Sequence, residues 1–286
     1  MRRPRWHVKG AVLDPNRGTI IMGVVNATPD SFSDGGRCLS EDAAVASGLR
    51  MWSEGAHIVD VGGESTRPGA AGVSEEEEIG RVVGVVARLA SAGVLVSIDT
   101  SKPGVAEAAI EAGAAVLNDV TALEDPGMAS LCASSGVGVV LMHMRGNPRT
   151  MQIDPHYAEV VAEVSEFLRR RIGAATAAGV DRHTIAVDPG IGFGKTLQHN
   201  LALLNGLPDL AELGRPVLIG VSRKAFLGAL TDRSVEERDG VTAVASGIGA
   251  LLGASVMRVH DVPSTRDALA LADAMVAAMD EGDADR

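Results

Sequence analysis

The sequence predicts a single-domain α/β protein folded as a (β/α)8, or TIM, barrel, on three observations. Eight short apolar runs alternate with eight helical stretches. Every run ends in a side chain able to bind a ligand. The opposite ends are glycine and alanine turns such as "EGAH", "SAGV" and "EAGA".

The runs at 19–25, 58–61, 94–98, 115–117, 137–142, 185–187, 217–221 and 256–259 have the apolar, β-branched content of strands covered on both faces. Between them helices are expected at 41–54, 74–93, 103–112, 126–134, 157–178, 198–213, 239–252 and 263–279. In 74–93, Ile79, Val82, Val83, Val86 and Leu89 line one helix face. Ser74 and the acids Glu75 to Glu78 suit the positive end of that helix, and Gly93 its stop. A doubly wound open sheet is the competing architecture, but it seldom repeats so regular a unit. Residues 1–18 read as an N-terminal extension, strand-like around "HVKGAVLD"; the barrel spans 19–280, and 281–286 form an acidic tail.

At 286 residues the chain can bury a large core, and aromatics at 2% leave its packing to Val, Leu, Ile and Ala. A formal charge of −11 argues against nucleic acid or an anionic membrane as partner. Small anionic substrates need only a few local cations. Cys38 and Cys132 fit neither a disulfide framework nor a metal cluster and read as reduced thiols. "MRRPRWHVKG" is basic, but no apolar signal core follows it, and no run is long enough to span a bilayer; a cytoplasmic protein is expected.

The strand ends carry Asn26, then Glu64, Thr66 and Arg67, then Asp99, Asn118–Asp119, His143, Asp188, Ser222–Arg223–Lys224, and finally Arg258 and His260. Taken singly, a strand-terminal Asp or Asn often just caps the next helix or turn. Asp119 reads as such a structural residue, and Asp60, inside its strand, as part of a buried network. His143 suits a core imidazole, and Met142, Met144 and Phe193 suit packing. His7, His57, His156, His183 and His199 form no partner pattern. Lys224 is harder to place without an anion or polar ligand. Taken together, Arg67, Arg258 and His260 become neighbours once the barrel closes, with Asn26 between them, and make a site for phosphate or pyrophosphate. Asp99, Asn118 and Asp188 lie opposite and suit a ring rich in N–H donors, such as an aminopyrimidinone edge.

The segments "NATPDSFSDGG", "DVGGESTRPGA", "SIDTSKP", "LNDV", "LMHMRGNPRTMQ", "DPGIGFGKT", "GVSRKAFLG" and "RVHDV" occur in this order from about Ile20 to the last helix. In them the chain resembles dihydropteroate synthase, the folate-pathway family that joins 7,8-dihydropterin-6-ylmethyl diphosphate to 4-aminobenzoate. The resemblance implies that Asp188, Asp99 and Asn118 bond the pterin, that Lys224 donates to its far side, and that Met142, Phe193 and Gly192 surround the ring. It implies that Thr66, Arg67, Arg258 and His260 hold the diphosphate, that Asn26 ligates Mg2+, and that Phe32, Pro68, Ser222 and Lys224 frame 4-aminobenzoate. Asp34 would stabilise a methylene cation or orient the metal's ligands. With Arg67, Lys224, Arg258 and His260 it makes up the catalytic set of an SN1-like displacement. The resemblance further implies a homodimer, and either a sulfonamide target or a sulfonamide-insensitive variant. Two alternatives stay open: a non-catalytic pterin-binding homologue and a pterin-dependent methyltransferase. The methyltransferase would need neither Arg67 and Arg258 nor "SFSDGG". A Schiff-base aldolase using Lys224 is expected to fail a borohydride trap.

Overall fold

A computed structural model describes residues 3–27, 39–64, 72–146 and 150–284. A two-stranded antiparallel hairpin, β1 (Trp6–Val8) and β2 (Ala11–Leu13), precedes the barrel. The barrel strands are β3 (Ile20–Asn26), β4 (Ile58–Gly62), β5 (Val96–Asp99), β6 (Val116–Asp119), β7 (Gly138–Met142), β8 (Ile185–Asp188), β9 (Leu218–Ile219) and β10 (Val256–Val259). All neighbours pair in parallel in chain order, β10 returns to pair with β3, and a bridge from Val187 to Val217 joins the two ends of the sheet. This is the predicted (β/α)8 barrel.

Around it lie α1 (Leu39–Ser53), α2 (Glu75–Ser91), α3 (Pro103–Glu111), α4 (Pro126–Ser135), α5 (Val160–Ala177), α6 (Leu197–Asn205), α7 (Leu207–Ala211), α8 (Ala225–Thr231), α9 (Asp239–Leu251) and α10 (Val262–Ala284). Two expectations need correction and a third needs an addition. The helix expected over 198–213 is two, because the chain breaks at Gly206 and restarts with Pro208 in the first turn of α7. The strand expected over 217–221 shrinks to β9, and the residues after it turn into the unexpected short helix α8. The expected face of α2 packs in or against the core, Ile79 and Val83 being partly buried there, and it widens to include buried Glu78 and Val85. Glu78 turns inward because Lys102 bonds both it and Glu64. Ser74 caps α2 by accepting from the Glu77 N–H at 3.2 Å, as expected.

Strand alternation sorts the core into two layers. Ile20, Met22, Ile58, Val116, Val140, Ala186, Leu218 and Val256 fill the barrel interior. Their sequence neighbours, among them Ile21, Val59, Leu117, Val139, Val187, Ile219 and Met257, pack outward beneath the helices. The hairpin belongs to the inner layer. Trp6 and Val8 join the interior cluster, and the Trp6 indole N–H donates to the Thr184 carbonyl at 2.7 Å. Buried Arg3 ties the same segment to Thr19, to the Ala254 carbonyl and to Asp273 of α10 at 2.7, 3.1 and 3.0 Å.

Candidate active site

The inward parity of six strands, followed to their carboxyl ends, leads to the rim, five of them reaching a polar residue and β7 reaching Met142. Ile20 and Met22 lead to Asn26, Ile58 to Asp60, Val116 to Asn118, Val140 to Met142, Ala186 to Asp188 and Val256 to Arg258. One rim thus receives residues far apart in sequence. The register agrees: Asn26 lies beside Gly62, Gly62 beside Asp99, Asp99 beside Asn118, and Met142 beside Asp188.

Arg258 organises one side. Its Nε donates to Asp60 Oδ2 at 2.6 Å and its Nη2 to Asp99 Oδ2 at 2.5 Å, while the Asn118 amide donates to Asp60 Oδ2 at 3.3 Å. The two carboxylates hold the guanidinium firmly protonated. Burial and nearby acids, against the pull of Arg258, raise Asp99 to about 7. The second oxygens of Asp60 and Asp99 are buried and bond no group of the described residues. They are acceptors in need of N–H donors.

On the other side, Asp188 is buried and raised to about 6 by desolvation, with the Gly190 N–H donating to its Oδ1 at 2.7 Å. Gly190 has φ +65°, and a Cβ there would lie 1.9 Å from the His143 carbonyl oxygen, so only glycine makes this turn. Phe193 packs with Met142, Val120 and Met151 into a small apolar cluster, and Lys224 Nζ stands 3.9 Å over the Phe193 ring. A Cβ on Gly192 would meet Lys224 Cδ at 2.9 Å, so the bare backbone lets that lysine through. Ser222 Oγ accepts from the His260 backbone N–H at 3.1 Å and lies 2.9 Å from its Nδ1. Between Ser222 and Lys224, Arg223 takes φ +56°, held by two bonds to Asp239 at 2.7 and 2.8 Å. That left-handed residue sets the two flanking side chains.

The structure therefore gathers Asn26, Asp99, Asn118, Met142, Asp188, Gly192, Phe193, Ser222, Lys224, Arg258 and His260 at one mouth. Phe32, Asp34, Thr66, Arg67 and Pro68 lie outside the described residues. Asp119 is structural, as read: it accepts from the N–H groups of Thr121 and Leu123 at 2.8 Å each. Sequence reasoning missed Lys195, which is buried behind Phe193 with its Nζ 3.1 Å from His143 Nδ1. The signal available was a lysine two residues past the phenylalanine in "DPGIGFGK".

The pterin binding enzyme family matches residues 22–260. The chain belongs to this family. A dihydropteroate synthase of Mycobacterium leprae is 51% identical over 257 residues, which cover 87% of this chain and 90% of the relative. Xanthomonas albilineans dihydropteroate synthase with 4-aminobenzoic acid superposes with TM-score 0.90 at 49% identity, over 96% of this chain and 99% of that one. The same enzyme in complex with 7,8-dihydropteroate gives 0.87 at 46%, over the same shares. A Yersinia pestis dihydropteroate synthase in a sulfonamide complex gives 0.90 at 41%, again over 96% and 99%. The family match thus runs from within β3 to just past β10 and includes each strand end described above.

Proposed function

We infer that this chain is a transferase of folate biosynthesis, condensing 7,8-dihydropterin-6-ylmethyl diphosphate with 4-aminobenzoate to give 7,8-dihydropteroate and diphosphate. The observation that carries this reading is the arrangement of buried acceptors, Asp99, Asn118 and Asp188, on the same rim as Arg258 and His260. An N–H-rich heterocycle and an anionic leaving group are accommodated at once.

In this reading Asp188, Asp99 and Asn118 take the pterin's N–H edge, with Lys224 donating to its other side. Met142, Gly192 and Phe193 enclose the ring. Arg258 has given Nε and Nη2 to the acids, and its Nη1 serves the diphosphate together with His260, Thr66 and Arg67. Ser222, Lys224, Phe32 and Pro68 frame 4-aminobenzoate. The bond from the methylene carbon to the diphosphate oxygen breaks, and its electron pair leaves with that oxygen. The dihydropterin carries the cation, with Asp34 offsetting its charge. The arylamine nitrogen attacks the methylene and then sheds a proton. The site's task is positioning and charge stabilisation rather than strong base catalysis.

Asn26 offers one hard amide oxygen at the end of β3, and Asp34 follows in the next segment. That donor set suits Mg2+, which prefers oxygen and shares its shell with waters and substrate phosphates. Bound there, Mg2+ would withdraw charge from the leaving diphosphate.

A homodimer forms part of the same reading. Val244, Ile248 and Leu251 of α9 and Leu271, Met275 and Met279 of α10 are exposed apolar side chains at helical spacing on two helices packed together. A second copy is the occupant this face suits. No helix of the described residues is long and apolar enough to cross a membrane. Free, buried Cys132 fits the reducing cytoplasm we propose for the chain.

The test is a coupled assay. Purified protein with both substrates and Mg2+ should form dihydropteroate, and a sulfonamide should compete with 4-aminobenzoate. Asp188→Ala should weaken pterin binding roughly a hundredfold or more, the loss of two charge-assisted hydrogen bonds. Unchanged calorimetric affinity in that variant, or pterin binding without diphosphate release, would overturn the assignment.

A further inference from the structure

Lys195 is only 4% exposed, yet nothing in the proposed chemistry uses it. A buried ammonium is costly unless every N–H is satisfied. Here the Nζ meets three acceptors: the Phe193 carbonyl at 2.9 Å, His143 Nδ1 at 3.1 Å and the His143 carbonyl at 3.4 Å. Three N–H groups match three acceptors when the lysine is charged and His143 is neutral with its proton on Nε2. Burial and the lysine's own charge push His143 down to about 3, which keeps that imidazole neutral. The edge of His143 is packed against the Phe167 ring, with centroids 4.8 Å apart.

None of the described carboxylates forms an ion pair with this ammonium; its countercharge is Asp188, across the Gly190 turn. A Cβ at Gly190 would stand 3.4 Å from Lys195 Nζ, and the Gly190 N–H holds Asp188 Oδ1 at 2.7 Å. The charges felt by Lys195 are Asp188, which favours its ammonium, and Lys224 and Arg145, which oppose it. Those felt by Asp188 are Lys224, Arg258 and Lys195, all favouring the carboxylate. Desolvation brings the lysine down to about 7, so its charge depends on that carboxylate.

We propose that Lys195 is a positioning residue for the pterin reader: from behind the pocket its bonds fix the peptide that presents the Phe193 ring, and its charge adds to those of Lys224 and Arg258 in favouring Asp188 as an acceptor. The proposal rests on the pterin reading of Asp188. Lys195 touches no substrate; it acts through the turn from Asp188 to Phe193. It also ties the end of β7 to the loop after β8, because His143 supplies two of its three acceptors.

The test uses Lys195→Met, which keeps the length and removes the charge, and calorimetric titration with 7,8-dihydropterin-6-ylmethyl diphosphate from pH 5.5 to 8.5. The acid limb of pterin binding should move up by about one pH unit, so that affinity falls roughly eightfold at pH 5.5 and less than twofold at pH 7. The KM for 4-aminobenzoate should stay within about twofold. An unmoved acid limb, or equal losses for both substrates, would overturn the proposal. A second measurement does not depend on that variant's folding. The chain has four lysines, Lys9, Lys102, Lys195 and Lys224, so lysine Cε NMR resolves each one. In Asp188→Asn the Lys195 titration midpoint should drop by about one pH unit, and an unchanged midpoint refutes the coupling. A wild-type protein that binds no pterin would instead sink the functional reading, and that control is read separately.

Discussion

Asp188 does two opposed things at once. Its carboxylate must be ionised to accept N–H bonds, yet burial raises it from an ordinary value of 3.8 to about 6. A carboxyl raised in the folded state binds its proton more tightly there than in the unfolded chain. Its contribution to stability is therefore greatest near pH 4 and falls as the pH rises to about 6. With Asp188 as the proposed pterin acceptor, pterin affinity should run the other way, falling as the pH drops through about 6. Asp188→Asn should consequently raise stability at pH 8 by roughly 1–2 kcal/mol in denaturant titrations, with the gain vanishing near pH 4. If the variant is less stable than wild type at pH 8, burial is not what governs this carboxyl. At this scale most of the site was legible: acids, amides and bases at strand ends stand out from apolar runs. The Arg258 bonds to Asp60 and Asp99 were not, because they join residues 198 and 159 apart in sequence. Lys195 was not legible because its role depends on two backbone carbonyls.

The elements show where periodicity succeeds and where it stops. Long helices such as α2 and α5 bury a stripe over several turns, and their pattern survives an error of one residue in phase. The expected stripe of α2 packs in or against the core, but Glu78 joins its buried face beside Lys102, an interaction that periodicity cannot contain. Short elements carry too few turns to be seen, so α8 went unread, and the break at Gly206 was overridden by apolar residues on both sides. The hairpin is the sharpest case. "HVKGAVLD" looked strand-like, but its purpose lies in Trp6, fully buried in the barrel interior at the end away from the site. Trp6→Ala should cost about 3–5 kcal/mol of stability and lower the urea midpoint, while both substrates keep their KM values. A loss of stability well under that range would mean that the interior is closed without the indole.

At the scale of the whole molecule, the ring of strands explains why distant residues meet, and the outer helices decide whether one copy suffices. The eightfold alternation predicted the barrel because parallel strands need crossovers of about a helix each, and eight such units close on themselves. That argument says nothing of the outer surface, which is why the proposed homodimer rests on exposure instead. On α9 the apolar positions 244, 248 and 251 follow helical spacing, as do 271, 275 and 279 on α10, although both helices already bury another face against the barrel. A lone molecule gains nothing from a second apolar stripe in water, whereas two copies gain by covering both. A stable interface of ordinary size needs about 800 Å² from each partner, within reach of two neighbouring helices. In sedimentation equilibrium the wild type should show twice the 29.4 kDa chain mass. Val244→Glu combined with Leu271→Glu should yield the single-chain mass at micromolar concentration, since two desolvated carboxylates per copy have no partners there. The barrel closes within one chain, so this monomer should keep its pterin affinity. A doubly substituted protein that still sediments as a dimer would place the contact on a different face.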